Sequence, residues 1–157
     1  MCMTRHIEVK EYPSHHTLAV KARTDQAHIA ADIGRLYGEL FGYIGLKGIG
    51  VRGAPYVEYL AMGPDGWDIE AGVPVAPGAK GEGGVVAKDI PAGQCVYTMH
   101  IGPYDTLKGT YDEIDAWLKA NGYEYAGAPR ETYHSDPVKE KDASKWRTEI
   151  VWPVKKK

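Results

Sequence analysis

The chain has 157 residues, and its 43% hydrophobic and 25% charged side chains are typical of a single globular domain, which we take to span residues 1–157. Nineteen basic and 21 acidic residues give a formal net charge of −2, and the basic residues are dispersed except in the last three positions, so a direct nucleic-acid-binding face is not expected. No segment approaches the roughly 18 apolar residues of a membrane span, and no signal-like run opens the chain, which predicts a cytoplasmic protein with no membrane contact.

The first half of the chain predicts four strands and one helix. The helix should begin at an N-cap on Asp25 and end in the glycine-rich segment 45–50. Its apolar face recurs at spacings of three and four and consists of Ile29, Ile33, Leu36, Tyr37 and Leu40. The strands, which have β-branched or alternating character, are residues 7–10, 17–21, 54–62 and 67–75.

The second half predicts the same kinds of element. A turn at residues 102–105 supplies an N-cap, and the helix that follows should stop at Asn121-Gly122. The apolar face of this helix consists of Leu107, Tyr111, Ile114, Trp117 and Leu118. The strands are residues 94–101, 123–134 and 146–154, and a polar loop at 135–145 joins the last two.

The two halves also repeat each other residue by residue. At an offset of 74 residues, Gly53-Ala54-Pro55 and Tyr59 recur as Gly127-Ala128-Pro129 and Tyr133. Other matches, some of them after a five-residue difference in one loop, are Tyr37 with Tyr111, Trp67 with Trp146, Glu70 with Glu149, and Pro74 with Pro153. Two copies of such a long period indicate a duplicated half-domain rather than a solenoid array.

The order β-β-α-β-β is predicted for each copy, over about residues 5–76 and 84–154, with three of the four strands located in the second copy. The segment 77–84, with four glycines in eight residues, predicts the junction. Short turns between strands, and a helix that needs a sheet to cover it, predict an α+β fold with antiparallel sheets. We expect a pseudo-twofold axis between the copies and a ligand cleft between them.

A carboxylate stands at the head of the last apolar run in each copy, as Glu149 and as Glu70. One interpretation is that Glu149 faces solvent or pairs with Arg147, which shares its strand face. The other is that it points into the cleft, where four tyrosines at matched positions would surround it: Tyr37, Tyr59, Tyr111 and Tyr133. The chain has 11 Tyr and one Phe, an excess that favours an interior lined with amphipathic rings.

Metal, cofactor and disulfide sites are not expected. Cys2 and Cys95 lie far apart, and the six histidines lack the spacing of metal ligands. No glycine-rich phosphate loop precedes a helix, since the segment 45–50 follows one.

The sequence resembles the GyrI-like small-molecule-binding domain family, whose members also serve as effector-binding domains of multidrug-sensing bacterial transcription regulators. The resemblance covers nearly the whole chain and is strongest from residue 91 to residue 154. It rests on Pro91-Ala92-Gly93, Tyr97, His100-Ile101-Gly102-Pro103-Tyr104, Tyr111, Trp117-Leu118, Asn121-Gly122, Tyr133, Thr148-Glu149-Ile150 and Pro153.

The resemblance implies two SH2-like repeats, and a buried glutamate on the last strand that meets lipophilic cations. That position corresponds to Glu149, and the aromatic wall would include Tyr37, Tyr111 and Tyr133. Trp67 and Trp146 are weaker candidates, because strand alternation places them on the face opposite Glu70 and Glu149. Regulators of the family carry a helix-turn-helix, whereas few residues flank the repeats here, so a stand-alone member is expected.

Two functions follow as hypotheses. The first is binding of lipophilic, often cationic aromatic compounds, as in xenobiotic resistance, with Glu149 as the counter-charge. The second is a hydrolase that opens strained cyclopropyl rings of DNA-alkylating natural products, with Glu149 or Glu70 activating water and a tyrosine donating a proton. A gyrase-directed or regulator-directed protein partner is a third reading, by family analogy alone.

Overall fold

The computed structural model describes residues 6–135 and 139–157, so Cys2 and part of the predicted loop 135–145 lie outside them. The chain forms two compact units, residues Pro13–Ala92 and residues Met1–Tyr12 with Gly93–Lys157. We name them the α1 unit and the α2 unit after their helices. The predicted α+β class with antiparallel pairing is confirmed.

The α1 unit consists of a four-stranded antiparallel sheet and one helix. The strands pair in the order β3-β4-β2-β5. The elements are β2 (His15–Thr24), α1 (Ile29–Lys47), β3 (Tyr56–Gly63), β4 (Gly66–Pro74) and β5 (Val86–Ile90). The fully buried side chains that form its core include Leu18, Leu36, Leu40, Val57 and Val73.

The α2 unit likewise consists of an antiparallel sheet and one α-helix, and it has one further short strand. Its strands pair in the order β1-β6-β9-β8, and β7 also pairs with β9. The elements are β1 (Ile7–Tyr12), β6 (Gly93–Ile101), α2 (Leu107–Asn121), β7 (Tyr123–Tyr125), β8 (Arg130–Tyr133) and β9 (Arg147–Lys156). Its core packs α2 on the sheet through Val96, Ile114, Leu118, Ile150 and Val154.

The units differ from the predicted repeats at both ends. Strand β1, which the sequence places in the first repeat, pairs with β6 from Ile7 opposite Thr98 to Tyr12 opposite Gly93. Strand β5, which the sequence analysis does not predict, pairs with β2. Each unit thus takes one outer strand from the stretch of chain assigned to the other repeat.

Two further boundaries differ. Helix α1 begins at Ile29 rather than directly after Asp25, whose carboxylate instead accepts a hydrogen bond of 2.9 Å from the backbone N–H of His28. The predicted strand 123–134 is split into β7 and β8 by the Gly127-Ala128-Pro129 segment. Both helices end at a glycine with positive φ, Gly48 at 63° and Gly122 at 77°, as the glycine signals predict.

The repeated Gly-Ala-Pro motif has the same packing role in both units. A Cβ built on Gly53 would lie 3.1 Å from Cγ of Pro74, and one on Gly127 would lie 3.1 Å from Cγ of Pro153. The residue before each glycine donates its backbone N–H to the carbonyl of the same proline at 2.8 Å. The repetition in the sequence thus reflects a close backbone approach to a strand proline.

A glycine at a second close approach provides a test of the α1 unit. A Cβ on Gly72 would lie 2.5 Å from the hydroxyl of Tyr56, a buried ring that lies across β4. We expect Gly72→Ala to lower the free energy of unfolding by about 1–3 kcal/mol, because the ring must move in a packed core.

Gly42→Ala is the matched control, since Gly42 lies in α1 with no neighbouring atom within 4 Å of the built Cβ. It should raise the free energy of unfolding by roughly 0.5–1 kcal/mol through helix propensity. Urea unfolding followed by circular dichroism measures both variants. A Gly72→Ala protein as stable as the parent would contradict the packing described.

Candidate ligand-binding site

The centre of the candidate site is the carboxylate of Glu131, which is only 5% exposed. The hydroxyl of Tyr111 donates to its Oε2 at 2.5 Å, and the hydroxyl of Tyr133 donates to its Oε1 at 2.7 Å. Burying a charged carboxylate is costly unless hydrogen bonds replace those to water, and bonds to an ionised acceptor are among the strongest. Both donors are neutral phenols, so these two bonds do not cancel the negative charge.

Strand register explains why these three residues meet. Glu131 stands opposite Ile150 and Tyr133 opposite Thr148 in the pairing of β8 with β9. Ile150 packs against Ile114 of α2, so this is the face of the sheet that the helix covers. Tyr111 precedes Ile114 by one helical turn, which brings its hydroxyl down to the carboxylate.

Aromatic rings continue on both sides of the carboxylate. On one side the ring of Tyr104, in the 3-10 turn after β6, lies 5.7 Å from Tyr133 and 4.9 Å from Trp146. On the other side Tyr111 contacts Trp152 at 5.8 Å, and Trp152 stacks on Tyr125 at 4.0 Å. Tyr104 is 39% exposed, so solvent reaches this end of the aromatic surface.

Glu149 does not take part in this cluster. It stands opposite Thr132 in the register, one residue from Ile150, and strand alternation therefore places it on the other face of the sheet from Glu131. Its side chain is 22% exposed and accepts a hydrogen bond from Nε2 of His134 at 2.8 Å. Its hydrogen-bond partner is thus His134, and a role for Glu149 as the counter-charge of a ligand stays a prediction.

Glu70 is buried, at 3% exposure, but it belongs to an ion cluster in the α1 unit. The ammonium of Lys88 on β5 lies 2.6 Å from Glu70 and 2.9 Å from Glu58, which stands opposite Glu70 in the register. Burial alone would lower the pKa of Lys88, but the hydrogen bonds and charges of Glu58 and Glu70 raise it above its usual value. Glu70 is thus engaged by a cation on its own sheet.

The remaining predicted residues divide between the units. Trp146 joins the Glu131 cluster through Tyr104, and its indole N–H donates to the backbone carbonyl of Glu140 at 2.6 Å. Tyr37, Tyr59 and Trp67 lie in the α1 unit, on α1, β3 and β4. The ring of Tyr37 contacts Phe41 at 6.1 Å.

Glu131 and Tyr104 of the candidate site are not among the residues predicted from the sequence. Comparing the two copies favoured residues that both contain, whereas the position of Glu131 is occupied by buried Val57 in the first copy. A glutamate that replaces a core valine was the available signal. The sequence places Tyr104 in the predicted turn 102–105 and in a motif of the family resemblance, and neither marks it as a ligand contact.

Two absences hold for the described residues. Between residues 6–135 and 139–157 no helix is both long and apolar enough to cross a membrane. In the same ranges, no group of three or more His, Cys, Asp or Glu side chains is arranged to hold a metal ion.

Comparisons with known proteins agree with this architecture. A family-level sequence model described as the GyrI-like small molecule binding domain matches residues 5–155. A search of curated proteins found no match.

Several solved structures are similar to the chain. The C-terminal domain of EcmrR is 26% identical with a TM-score of 0.80, over 99% of this chain and 100% of that domain. EcmrR in a complex with DNA is 25% identical with a TM-score of 0.85 over 97% of this chain, which spans 58% of that EcmrR chain.

Two more distant structures show the fold alone. A hydrolase from Listeria innocua is 19% identical with a TM-score of 0.69, over 98% of this chain and 94% of that one. SAV2435 bound to tetraphenylphosphonium is 15% identical with a TM-score of 0.66, over 96% of this chain and 94% of that one.

The ion cluster of the α1 unit gives a prediction about stability. Lys88→Met should lower the free energy of unfolding by about 3 kcal/mol, because two buried carboxylates lose their shared cation. Lys21→Met is the control, since Lys21 stands opposite Glu70 but is exposed, and it should change stability by less than about 0.5 kcal/mol. Urea unfolding at neutral pH measures both, and equal losses in the two variants would contradict the assigned contacts.

Proposed function

Because the chain belongs to the GyrI-like small molecule binding domain family, we propose that it binds lipophilic aromatic cations with Glu131 as their counter-charge. The observation that carries the proposal is the buried Glu131 carboxylate, held by two tyrosine hydroxyls between aromatic side chains. A largely apolar site with a few well-placed polar groups is the usual form of a small-molecule site.

The hydrogen bonds of the site favour one class of cation. Each carboxylate oxygen of Glu131 already accepts a tyrosine hydroxyl, so a ligand gains by bringing positive charge more than by bringing a donor. Quaternary cations with aryl groups carry charge without N–H groups, and their rings can pack against Tyr104, Trp146 and Trp152. The tetraphenylphosphonium bound by SAV2435 is a cation of this class, which supports the proposal by analogy.

Binding has more support than hydrolysis. The hydrolase hypothesis assigns water activation to Glu149 or Glu70, and these carboxylates are engaged by His134 and by Lys88. The likeness to a Listeria innocua hydrolase is one of fold. We therefore propose ligand capture as the function of this site.

The test compares the same substitution at two glutamates of the α2 unit. Methyltriphenylphosphonium and triphenylphosphine oxide have the same three phenyl rings but differ in charge, and isothermal titration calorimetry or displacement of a cationic xanthene dye gives both affinities. Glu131→Gln should weaken the cation about 30-fold, the equivalent of ~2 kcal/mol for losing a buried charge partner, and the neutral compound less than about threefold.

Glu149→Gln is the matched control and should leave both affinities within about threefold. Circular dichroism should show both variants folded. Loss of cation binding in Glu149→Gln with Glu131→Gln unaffected would assign the counter-charge to the other face of the sheet. Equal losses for cation and neutral compound in Glu131→Gln, or no binding of either by the parent protein, would refute the proposal.

A further inference from the structure

The imidazole of His100 is buried at the end of β6, at 2% exposure, and ties three elements together. Its Nδ1 lies 2.7 Å from the hydroxyl of Thr110 in the first turn of α2. Its Nε2 lies 3.0 Å from the carbonyl oxygen of Pro103 and 3.1 Å from the hydroxyl of Thr106. These contacts join the strand, the 3-10 turn and the helix at one side chain.

The hydrogen-bond partners of His100 indicate which ring nitrogen carries the hydrogen. The Pro103 carbonyl can only accept, so Nε2 carries hydrogen and donates to it. The hydroxyl of Thr106 also donates to the Pro103 carbonyl, at 2.7 Å. A lone pair of the Thr106 oxygen can therefore accept from the same Nε2–H. In the neutral ring Nδ1 is then an acceptor, and the hydroxyl of Thr110 donates to it.

The hydrogen bonds from His100 and Thr106 to the Pro103 carbonyl also constrain the backbone of Tyr104. The carbonyl of Pro103 and the backbone nitrogen of Tyr104 belong to one planar peptide group, so fixing the oxygen fixes the plane from which Tyr104 starts. The Tyr104 ring contacts Tyr133, and Tyr133 donates to Glu131. His100 is thereby linked to the site through the backbone of the Tyr104 turn.

The α1 unit lacks this arrangement. His100 stands opposite Thr148 in the β6–β9 register, and the corresponding pair in the β2–β4 register is Ala22 opposite Ile69. Thr110 corresponds to buried Leu36 at the offset of 74 residues. His100 and Thr110 thus both lie in the unit that contains Glu131, and apolar residues occupy their places in the other unit.

We propose that His100 is a positioning residue that holds Tyr104 on the wall of the Glu131 site and so sets the affinity for aromatic ligands. The inference rests on the proposed function for its ligand, but its structural part concerns the Tyr104 turn alone. Two variants separate the contacts of the ring. His100→Gln retains a donor that reaches Pro103, and His100→Asn retains an amide that reaches Thr110 but not Pro103.

The first experiment is a double-mutant cycle with Tyr104→Ala, using methyltriphenylphosphonium as the probe. His100→Asn should weaken binding about 10-fold and His100→Gln less than about threefold. In the Tyr104→Ala background, His100→Asn should weaken binding by less than about twofold further, because the ring it positions is gone. A loss as large in that background as in the parent would show that His100 acts through general stability, and would overturn the inference.

A second experiment needs no ligand. With 3-fluorotyrosine at position 104, fluorine NMR should show the His100→Asn resonance moved toward its position in the unfolded protein, and the His100→Gln resonance close to that of the parent. The label at position 123, whose ring stacks on Trp117 in the same unit, should not move in either variant. An unmoved label at 104 in His100→Asn overturns the positioning role even if the parent protein binds no cation, so the two proposals fail separately.

Discussion

The hydrogen bonds from Tyr111 and Tyr133 to the buried carboxylate of Glu131 are the interaction on which the site depends. They connect α2 to β8 and compensate for removing a charge from water, a cost that would otherwise oppose folding. They also place two aromatic rings against the carboxylate, so the contacts that make its burial tolerable also build the surface that we propose for aromatic cations. The same residues would thus serve both stability and the proposed ligand recognition.

The α1 unit and the α2 unit share one arrangement of sheet and helix but differ in the partners of their buried carboxylates. Both retain the glycine–proline approach and the glycine at the helix C-terminus. In the α2 unit the helix-covered face carries Glu131, whereas the equivalent position in the α1 unit is Val57. The buried carboxylates of the α1 unit, Glu58 and Glu70, share the ammonium of Lys88. The two units thus bury their carboxylates in different surroundings, one against tyrosine hydroxyls and the other against a lysine.

Much of the fold could be predicted from local signals, and the errors have physical causes. Helix periodicity and the stops at Gly48 and Gly122 are local, so they were visible in the sequence. The pairing of β1 with β6 joins residues 81 to 91 positions apart, from Tyr12 with Gly93 to Ile7 with Thr98, and no periodicity reports a distant partner. The sequence favoured Glu149 because Glu70 repeats it in the first copy. Glu131 has no such counterpart, since Val57 occupies its place, and its burial depends on the pairing of β8 with β9, which no local pattern reports.

The most direct test of the central claim is a carbon-13 NMR titration of protein labelled at the glutamate side-chain carboxyl carbon, with resonances assigned by Glu131→Gln and Glu149→Gln. We expect methyltriphenylphosphonium to shift the Glu131 resonance most and the Glu149 resonance little. The neutral triphenylphosphine oxide should shift both resonances less than the cation shifts that of Glu131. A cation-induced shift at Glu149 with an unchanged Glu131 resonance would contradict it.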